Sequence, residues 1–249
     1  MTPLRGLCPG SAGRPPGRRR ACSQAAEALV YTVESGVASL RLNRPEVGNA
    51  FDLAMARAFR AAVDDIARQP GLTAVVLAAE GKLFCTGGDV ASMAAADDPP
   101  RHLSKLAGTV HEALVALREL PLPIVAAVQG AAAGAGVGLV LSADIAIAAY
   151  QARFVSAYAD LGLSPDGGVS ALLPAAIGPR RAAQFMLTGM TIDASTAREW
   201  GLVTQTCTRA ELSAEVAAVI LNMAARPHQA VGTAARIGKF AGRTAGAGK

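Results

Sequence analysis

Residues 123–136 read PIVAAVQGAAAGAG, and the fold follows from how this stretch is parsed. Ile124–Val128 is a continuous apolar β run, as a strand covered on both faces requires. Small residues follow it to Ser142 and open a helix, after which Asp144–Ala149 is again an apolar strand. Strand, helix and strand in that order form a crossover unit, the element from which parallel sheets are built. The alternation extends upstream. Thr73–Ala79 (TAVVLAA) is another continuous β run, and His102–Leu120 is a helical segment closed by Pro121 and Pro123. Nearer the start, Leu29–Glu34 and Val37–Leu42 are short β runs joined by Ser35-Gly36, which is hairpin chemistry. Phe51–Gln69 places Met55, Phe59, Val63 and Ile66 at helical spacing, with Asp52 as its cap and Pro70-Gly71 as its stop. From Gly167 onward the pattern is mainly helical, over Gly168–Ile177, Arg180–Leu187, Ala194–Trp200 and Ala210–Ala225. Asp97-Asp98-Pro99-Pro100 is expected to be a mobile loop, and the closing ARIGKFAGRTAGAGK, with four glycines, to be frayed.

Composition bounds the rest. The 249 residues are 51 % hydrophobic but only 4 % aromatic, so Ala, Val, Leu and Gly must fill one sizeable core of closely packed elements. A charged fraction of 17 % excludes disorder as the global state. The net charge of +5 belongs to the ends: residues 1–20 hold five Arg and no acid, and five bases with no acid follow Glu215. The intervening chain is acidic, so no basic face with interleaved aromatics exists for nucleic acid. Cys8, Cys22, Cys85 and Cys207 form no CxxC pair, and His102, His111 and His228 are scattered, so no metal site and reduced thiols are expected. Gly130–Leu141 is uncharged but too short to span a membrane. The first 24 residues lack the apolar core of a secretory signal. The expectation is a cytoplasmic protein with a disordered basic leader over 1–27, a core domain over 28–190 and a helical region over 191–249.

Two glycine-rich segments are the candidates for chemistry, each taken alone being also readable as ordinary turn chemistry or tight helix–strand packing. Phe84-Cys85-Thr86-Gly87-Gly88-Asp89 and Gln129-Gly130-Ala131-Ala132-Ala133-Gly134-Ala135-Gly136 each follow a β run and open a helix. Small residues let a ligand atom reach the main chain, and the first N–H groups of a helix have no internal partner. Two such sites facing one another can hold a carbonyl oxygen as negative charge builds on it. A dinucleotide-binding reading of the second segment fails, because Gly134-Ala135-Gly136-Val137-Gly138 lacks the third glycine at its place.

These segments, with Leu42-Asn43-Arg44-Pro45…Asn49-Ala50, Pro123–Gly130, Ala143–Ala148 and Ala197–Val203, resemble the enoyl-CoA hydratase/isomerase (crotonase) superfamily over about residues 28–225. The resemblance implies an α/β fold, a spiral of ββα units with a C-terminal helical region shortened here, assembled as a homotrimer or hexamer. It implies an acyl-CoA thioester substrate, no separate cofactor, and a place in fatty acid metabolism. By register, the carbonyl-oxygen donors are the N–H groups of Gly88 and Ala135, the family's usual glycine at the second position being alanine. Ala50, Gly87, Asp89, Gly134, Tyr158 and Pro165 are implied around the substrate. Relatives continue past Pro227-His228-Gln229-Ala230 with helices that cover the acyl pocket; the glycine-rich remnant here is expected to mean either a reading frame truncated relative to relatives or a more open pocket.

The two glutamates with which family hydratases activate water fall at Gly138 and Tyr158. Glycine has no proton to move, and a phenol with an ordinary pKa near 10 is a poor base at neutral pH. Gly162-Leu163-Ser164-Pro165-Asp166-Gly167-Gly168 instead resembles the branch in which an acid after this proline is the lone base of double-bond isomerases. Asp166 then has two readings: the base, or the cap of the helix opening at Gly167. The expected activity is double-bond isomerisation, the alternatives being a hydratase with atypical water activation and a non-catalytic acyl-CoA-binding protein. Among the other residues, Tyr158 packs in the core or donates a hydrogen bond, Asp89 holds its loop, and Arg44 lies on a solvated surface or meets phosphate. His111 is expected to have no chemical role, and Cys85 has nothing nearby to lower its pKa.

Overall fold

The structure, a computed structural model, describes residues 28–227, 230–235 and 238–239, so the expected leader over 1–27 lies outside the described residues. The chain opens with the hairpin of β1 (Leu29–Glu34) and β2 (Val37–Leu42). Its two-residue turn holds Ser35 and Gly36 at φ of 50° and 80°, the left-handed pair that matches strand twist. Helix α1 (Leu53–Arg68) is capped by the Asp52 carboxylate, which accepts from the Met55 N–H at 2.7 Å. Met55, Ala56, Phe59, Ala62, Val63 and Ile66 form its buried stripe, and Phe59 meets Phe51 edge-on at 5.9 Å.

The chain continues through β3 (Ala74–Ala79), α2 (Val90–Ala94), α3 (Pro99–Glu119), β4 (Ile124–Val128), β5 (Ala132–Ala133), α4 (Ala135–Leu141), β6 (Ile145–Ala149) and β7 (Arg153–Val155). It ends with α5 (Val169–Ile177), α6 (Pro179–Thr188), β8 (Thr191–Asp193), α7 (Ala194–Trp200), β9 (Gln205–Cys207) and α8 (Leu212–Ala224). One sheet has the order β1-β2-β3-β4-β6-β9 and is parallel apart from the hairpin; a second has the order β5-β7-β8. Isolated pairings of Phe51 with Gly88 and Cys85 with Ala132 continue the second ladder upstream. Each turn β4-β5-α4 and β6-β7-α5 therefore lays one strand in each sheet before its helix, which is a ββα spiral. β4 is buried nearly throughout and packs against α8, which accounts for its unbroken Ala/Val/Ile character, while β3, paired on both edges, buries Ala74, Val75 and Leu77.

One expectation fails here in part. Asp97 and Asp98 lie in the connection from α2, but Pro99 and Pro100 are not in a loop: Asp98 caps α3, its carboxylate accepting from the Arg101 N–H at 3.1 Å, and the two prolines occupy the first turn. Proline is at home there, since those N–H groups have no helical acceptor to lose. Of the closing fifteen residues only Ala235, Gly238 and Lys239 are among those described. Residues 230–235 are helical, and Lys239 is 5 % exposed, paired with Asp144 at 3.3 Å and donating to the Leu120 and Leu122 carbonyls. The rest of that stretch lies outside the described residues.

The loop after β3 is fixed by two buried side-chain amides. Asn49 accepts from the Arg44 N–H at 2.8 Å and donates to the carbonyls of Glu80 and Leu83 at 2.8 and 3.0 Å. Gln129 donates to the Ala79 and Leu83 carbonyls at 3.0 and 2.8 Å. Asn49 also stands at φ 56°, a conformation that asparagine tolerates better than other side chains. Asn49→Ala removes three hydrogen bonds and leaves an alanine in that strained conformation. It is expected to lower unfolding free energy by about 3 kcal/mol, read as a reduced denaturation midpoint.

Candidate active site

The two glycine-rich segments come together as backbone. Cys85 N–H donates to the Ala131 carbonyl at 3.2 Å and Ala133 N–H to the Cys85 carbonyl at 2.9 Å, so the segments run side by side. Gly87, at φ 94°, sits so close to the second segment that a β-carbon there would lie 3.0 Å from the Ala133 carbonyl oxygen and 3.4 Å from the Ala135 nitrogen. Only glycine allows this approach. The N–H groups of Gly88 and Ala135 make no backbone hydrogen bond among the described residues, and both line one cavity. Ala135 is the first residue of α4, where a helix leaves its N–H groups unpaired.

The cavity has a volume of about 70 Å³. Thr86, Tyr158 and Asp166 contribute polar side chains to its lining and Gly87, Gly88, Gly134 and Ala135 contribute backbone, and the remainder is apolar. Leu103, Leu106, Ala107 and Val110 present one face of α3 to it, and Met93 Cε covers the face of Gly88 on which a side chain would stand. The i, i+3, i+4, i+7 spacing of the α3 residues was visible in the sequence, but their facing a cavity was not. Among the described residues, Asp166 is the one carboxylate in the lining.

Asp166 does not cap α5. The cap position is Gly168, at φ 82°, and no side chain bonds there. The Asp166 carboxylate instead accepts a hydrogen bond from the Tyr158 hydroxyl at 2.9 Å. Burial pushes its pKa above the usual carboxylate range, partly opposed by that hydrogen bond and weakly by His111. Burial and the Asp166 charge push the Tyr158 hydroxyl well up, so it stays protonated as a donor. Gly138 lies beneath this loop: a β-carbon on it would collide with the Gly167 carbonyl oxygen. Bare backbone at 138 is therefore what lets the Asp166-Gly167-Gly168 turn pack on α4.

Arg44 corrects an expectation. It neither faces solvent nor awaits a phosphate: its guanidinium pairs with Asp89 at 3.0 Å and Asp52 at 3.2 Å, and donates to the Ala50 carbonyl at 2.7 Å. Asp89 caps α2 by accepting from the Ser92 N–H at 3.0 Å. Arg44 thus ties the caps of α1 and α2 together on either side of Gly88. Ala50, Asp89 and Pro165 lie outside the cavity lining, whereas Gly87, Gly134 and Tyr158 lie within it. Cys85 is buried, its thiol pushed up to about 12 by desolvation, which leaves it inert. Among the described residues no group of three or more His, Cys, Asp or Glu could hold a metal ion, and no helix is long and apolar enough to cross a membrane.

The arrangement can polarise a carbonyl with two unpaired amides while a single half-buried carboxylate stands by an apolar cavity. Residues 32–239 match the family model described as Enoyl-CoA hydratase/isomerase. The chain is 38 % identical over 181 residues to the trans-2-decenoyl-[acyl-carrier-protein] isomerase of Streptococcus mutans, covering 72 % of this chain and 69 % of that one. It is 38 % identical over 183 residues to the 1,2-epoxyphenylacetyl-CoA isomerase of Escherichia coli, with coverage of 72 % and 69 %. The crystal structure of an enoyl-CoA hydratase from Mycobacterium avium subsp. paratuberculosis superposes with a TM-score of 0.80 at 33 % identity, over 87 % of this chain and 86 % of that chain.

Proposed function

Because the chain belongs to the enoyl-CoA hydratase/isomerase family, we propose that it is an acyl-CoA double-bond isomerase with Asp166 as its single base. The observation that carries this reading is the carboxylate inventory of the cavity. Gly138 and Tyr158 offer none, and Asp166 is the one present among the described residues. Two relatives that it resembles at 38 % identity are themselves named isomerases.

In this reading the thioester oxygen lies between the N–H groups of Gly88 and Ala135. A proton on C2 of a 3-enoyl thioester becomes removable when the charge arriving on that oxygen is held by two fixed amides. Asp166 takes the C2 proton, the electrons flow from C2 through C3 to C4 as a dienolate, and the protonated Asp166 returns the proton at C4. The product is the conjugated 2-enoyl thioester, and the carboxylate is regenerated with no water and no second acid consumed. Burial, by raising the basicity of Asp166, makes it a better proton acceptor than an exposed carboxylate.

The test gives the purified protein a 3-enoyl-CoA deuterated at C2 and, separately, a 2-enoyl-CoA. The expected result is growth of conjugated enoyl-thioester absorbance from the first, with part of the label carried to C4, and no hydration of the second. Hydration of the 2-enoyl-CoA without isomerisation would establish a hydratase with another water-activating group. Binding of both thioesters with no turnover would establish an acyl-CoA-binding protein.

A further inference from the structure

Asp166 has two carboxylate oxygens, and the structure treats them differently. Oδ1 accepts from the Tyr158 hydroxyl at 2.9 Å, whereas no other described residue donates to Oδ2, the carboxylate's remaining hydrogen bond coming from its own backbone N–H. The same hydroxyl lies 3.3 Å from the Asp166 carbonyl oxygen, so the phenol grips both the side chain and the main chain of that residue. Tyr158 is itself held. It is 5 % exposed, and its carbonyl accepts from the Leu161 and Leu163 N–H groups at 3.1 and 3.0 Å, closing the loop that leads to Asp166. Its ring packs under the second glycine-rich segment, where a β-carbon on Gly134 would lie 3.9 Å from the Tyr158 Cζ. Ala157, immediately before it, stands at φ 55°, a strained conformation for alanine that turns the chain from the extended run after β7 into this loop.

A phenylalanine would fill the same apolar space, so packing alone gives the hydroxyl no purpose. A buried hydroxyl is retained where it has a partner, and the partner here is Asp166. A base that must serve two carbons needs a carboxylate fixed at one oxygen and open at the other, because a freely rotating one spends time in unproductive rotamers.

We propose that Tyr158 is a positioning residue for the base, its hydroxyl anchoring Oδ1 of Asp166 so that Oδ2 alone carries the proton between C2 and C4. This rests on Asp166 being the base. The phenol keeps its own proton throughout, donating to Oδ1 both while the carboxylate is ionised and while Oδ2 bears the transferred proton. The hydrogen bond also favours the ionised carboxylate and so opposes the effect of burial. The other titratable groups near this pair are His111 on α3, whose charge favours the ionised carboxylate, and the Cys85 thiol, which burial keeps protonated.

The test is Tyr158→Phe in the full chain, read by kcat, KM and the pH profile of isomerisation, beside Asp166→Asn. The expected result is a loss of about 10- to 100-fold in kcat with KM within about twofold, and an acid limb displaced to higher pH. Loss of packing alone would leave that limb in place. A second readout needs no turnover: titration of the Asp166 carboxyl by 13C NMR, its signal identified by disappearance in Asp166→Asn, with a higher pKa expected in Tyr158→Phe. An unchanged kcat and acid limb in Tyr158→Phe, with Asp166→Asn inactive, would overturn the role of Tyr158 and leave the base intact. Full isomerisation by Asp166→Asn would overturn the base and this inference with it. Identical carboxyl titrations in wild type and Tyr158→Phe would also overturn the inference.

Discussion

Asp166→Asn is expected to lower kcat for 3-enoyl-CoA isomerisation by about 10³-fold, equivalent to about 4 kcal/mol of transition-state stabilisation, with KM nearly unchanged. The variant is isosteric. Its amide oxygen still accepts from the Tyr158 hydroxyl, and the Gly88 and Ala135 amides are untouched, so the thioester is bound as before and only the proton acceptor is gone. The residual rate reports what the two amides supply by themselves. Stability moves the other way. Burial holds the Asp166 pKa above its unfolded value, so ionising this group at neutral pH works against folding. That penalty is absent below the unfolded pKa and sets in fully as pH rises through the folded one. Asp166→Asn removes it, and its melting temperature at pH 7 is expected to equal or exceed that of wild type, the difference vanishing in acid. A variant that melts lower and keeps its activity would show the carboxylate to be structural.

Gly138→Glu is the second large effect, and it runs against what simple comparison suggests. The substitution restores the residue type that hydratases of the family carry at this register, yet it is expected to yield no hydratase. A β-carbon at 138 collides with the Gly167 carbonyl oxygen, lies 3.1 Å from the Gly167 carbonyl carbon, and is 3.4 Å from a Val169 methyl. The obstruction is mainly backbone, and it is the backbone of the turn that carries Asp166, so relief of the clash displaces the base. The added carboxylate would also be desolvated in a helix whose seven residues are all buried. We expect a loss of at least about 3 kcal/mol in unfolding free energy, seen in a denaturant titration, and isomerase activity below a tenth of wild type. Gly138→Ala separates the two causes: it keeps the clash without the charge, and is expected to lose activity with a smaller loss of stability. A Gly138→Glu protein as stable as wild type that hydrates a 2-enoyl-CoA would refute this account.

The segments legible in the sequence are those whose cause is local. The hairpin, α1 with its Asp52 cap, and the apolar runs β3, β4 and β6 follow from spacing, capping chemistry and continuous burial, and their ends fall within a residue or two of the expected places. The two glycine-rich segments were legible for the same reason, since a strand followed by small residues and a helix start is a short-range pattern. Four strands were not. β5, β7, β8 and β9 are two or three residues long, too short for alternation to register, and they exist through partners far along the chain, as Ala132 with Phe154 and Ile147 with Gln205. Pro99-Pro100 misled because two prolines signal a break equally well before a helix as within one.

At the site, the sequence placed Asp166 after Pro165, and the family resemblance implied that the hydratase glutamate positions fall at Gly138 and Tyr158. Whether that carboxylate capped a helix or faced a ligand was decided by tertiary structure. Four left-handed residues, Ala157, Gly162, Gly167 and Gly168, fold the chain back so that the Tyr158 hydroxyl reaches Asp166 before the helix begins. The same holds for Arg44, whose salt-bridge partner Asp89 lies 45 positions away and turns an apparent surface cation into the brace beside Gly88. Sequence spacing determines which groups the chain offers and where its regular elements run. Which group meets which depends on backbone turns and long-range pairings whose free energy is shared across the whole core, and that is information no short window of residues contains.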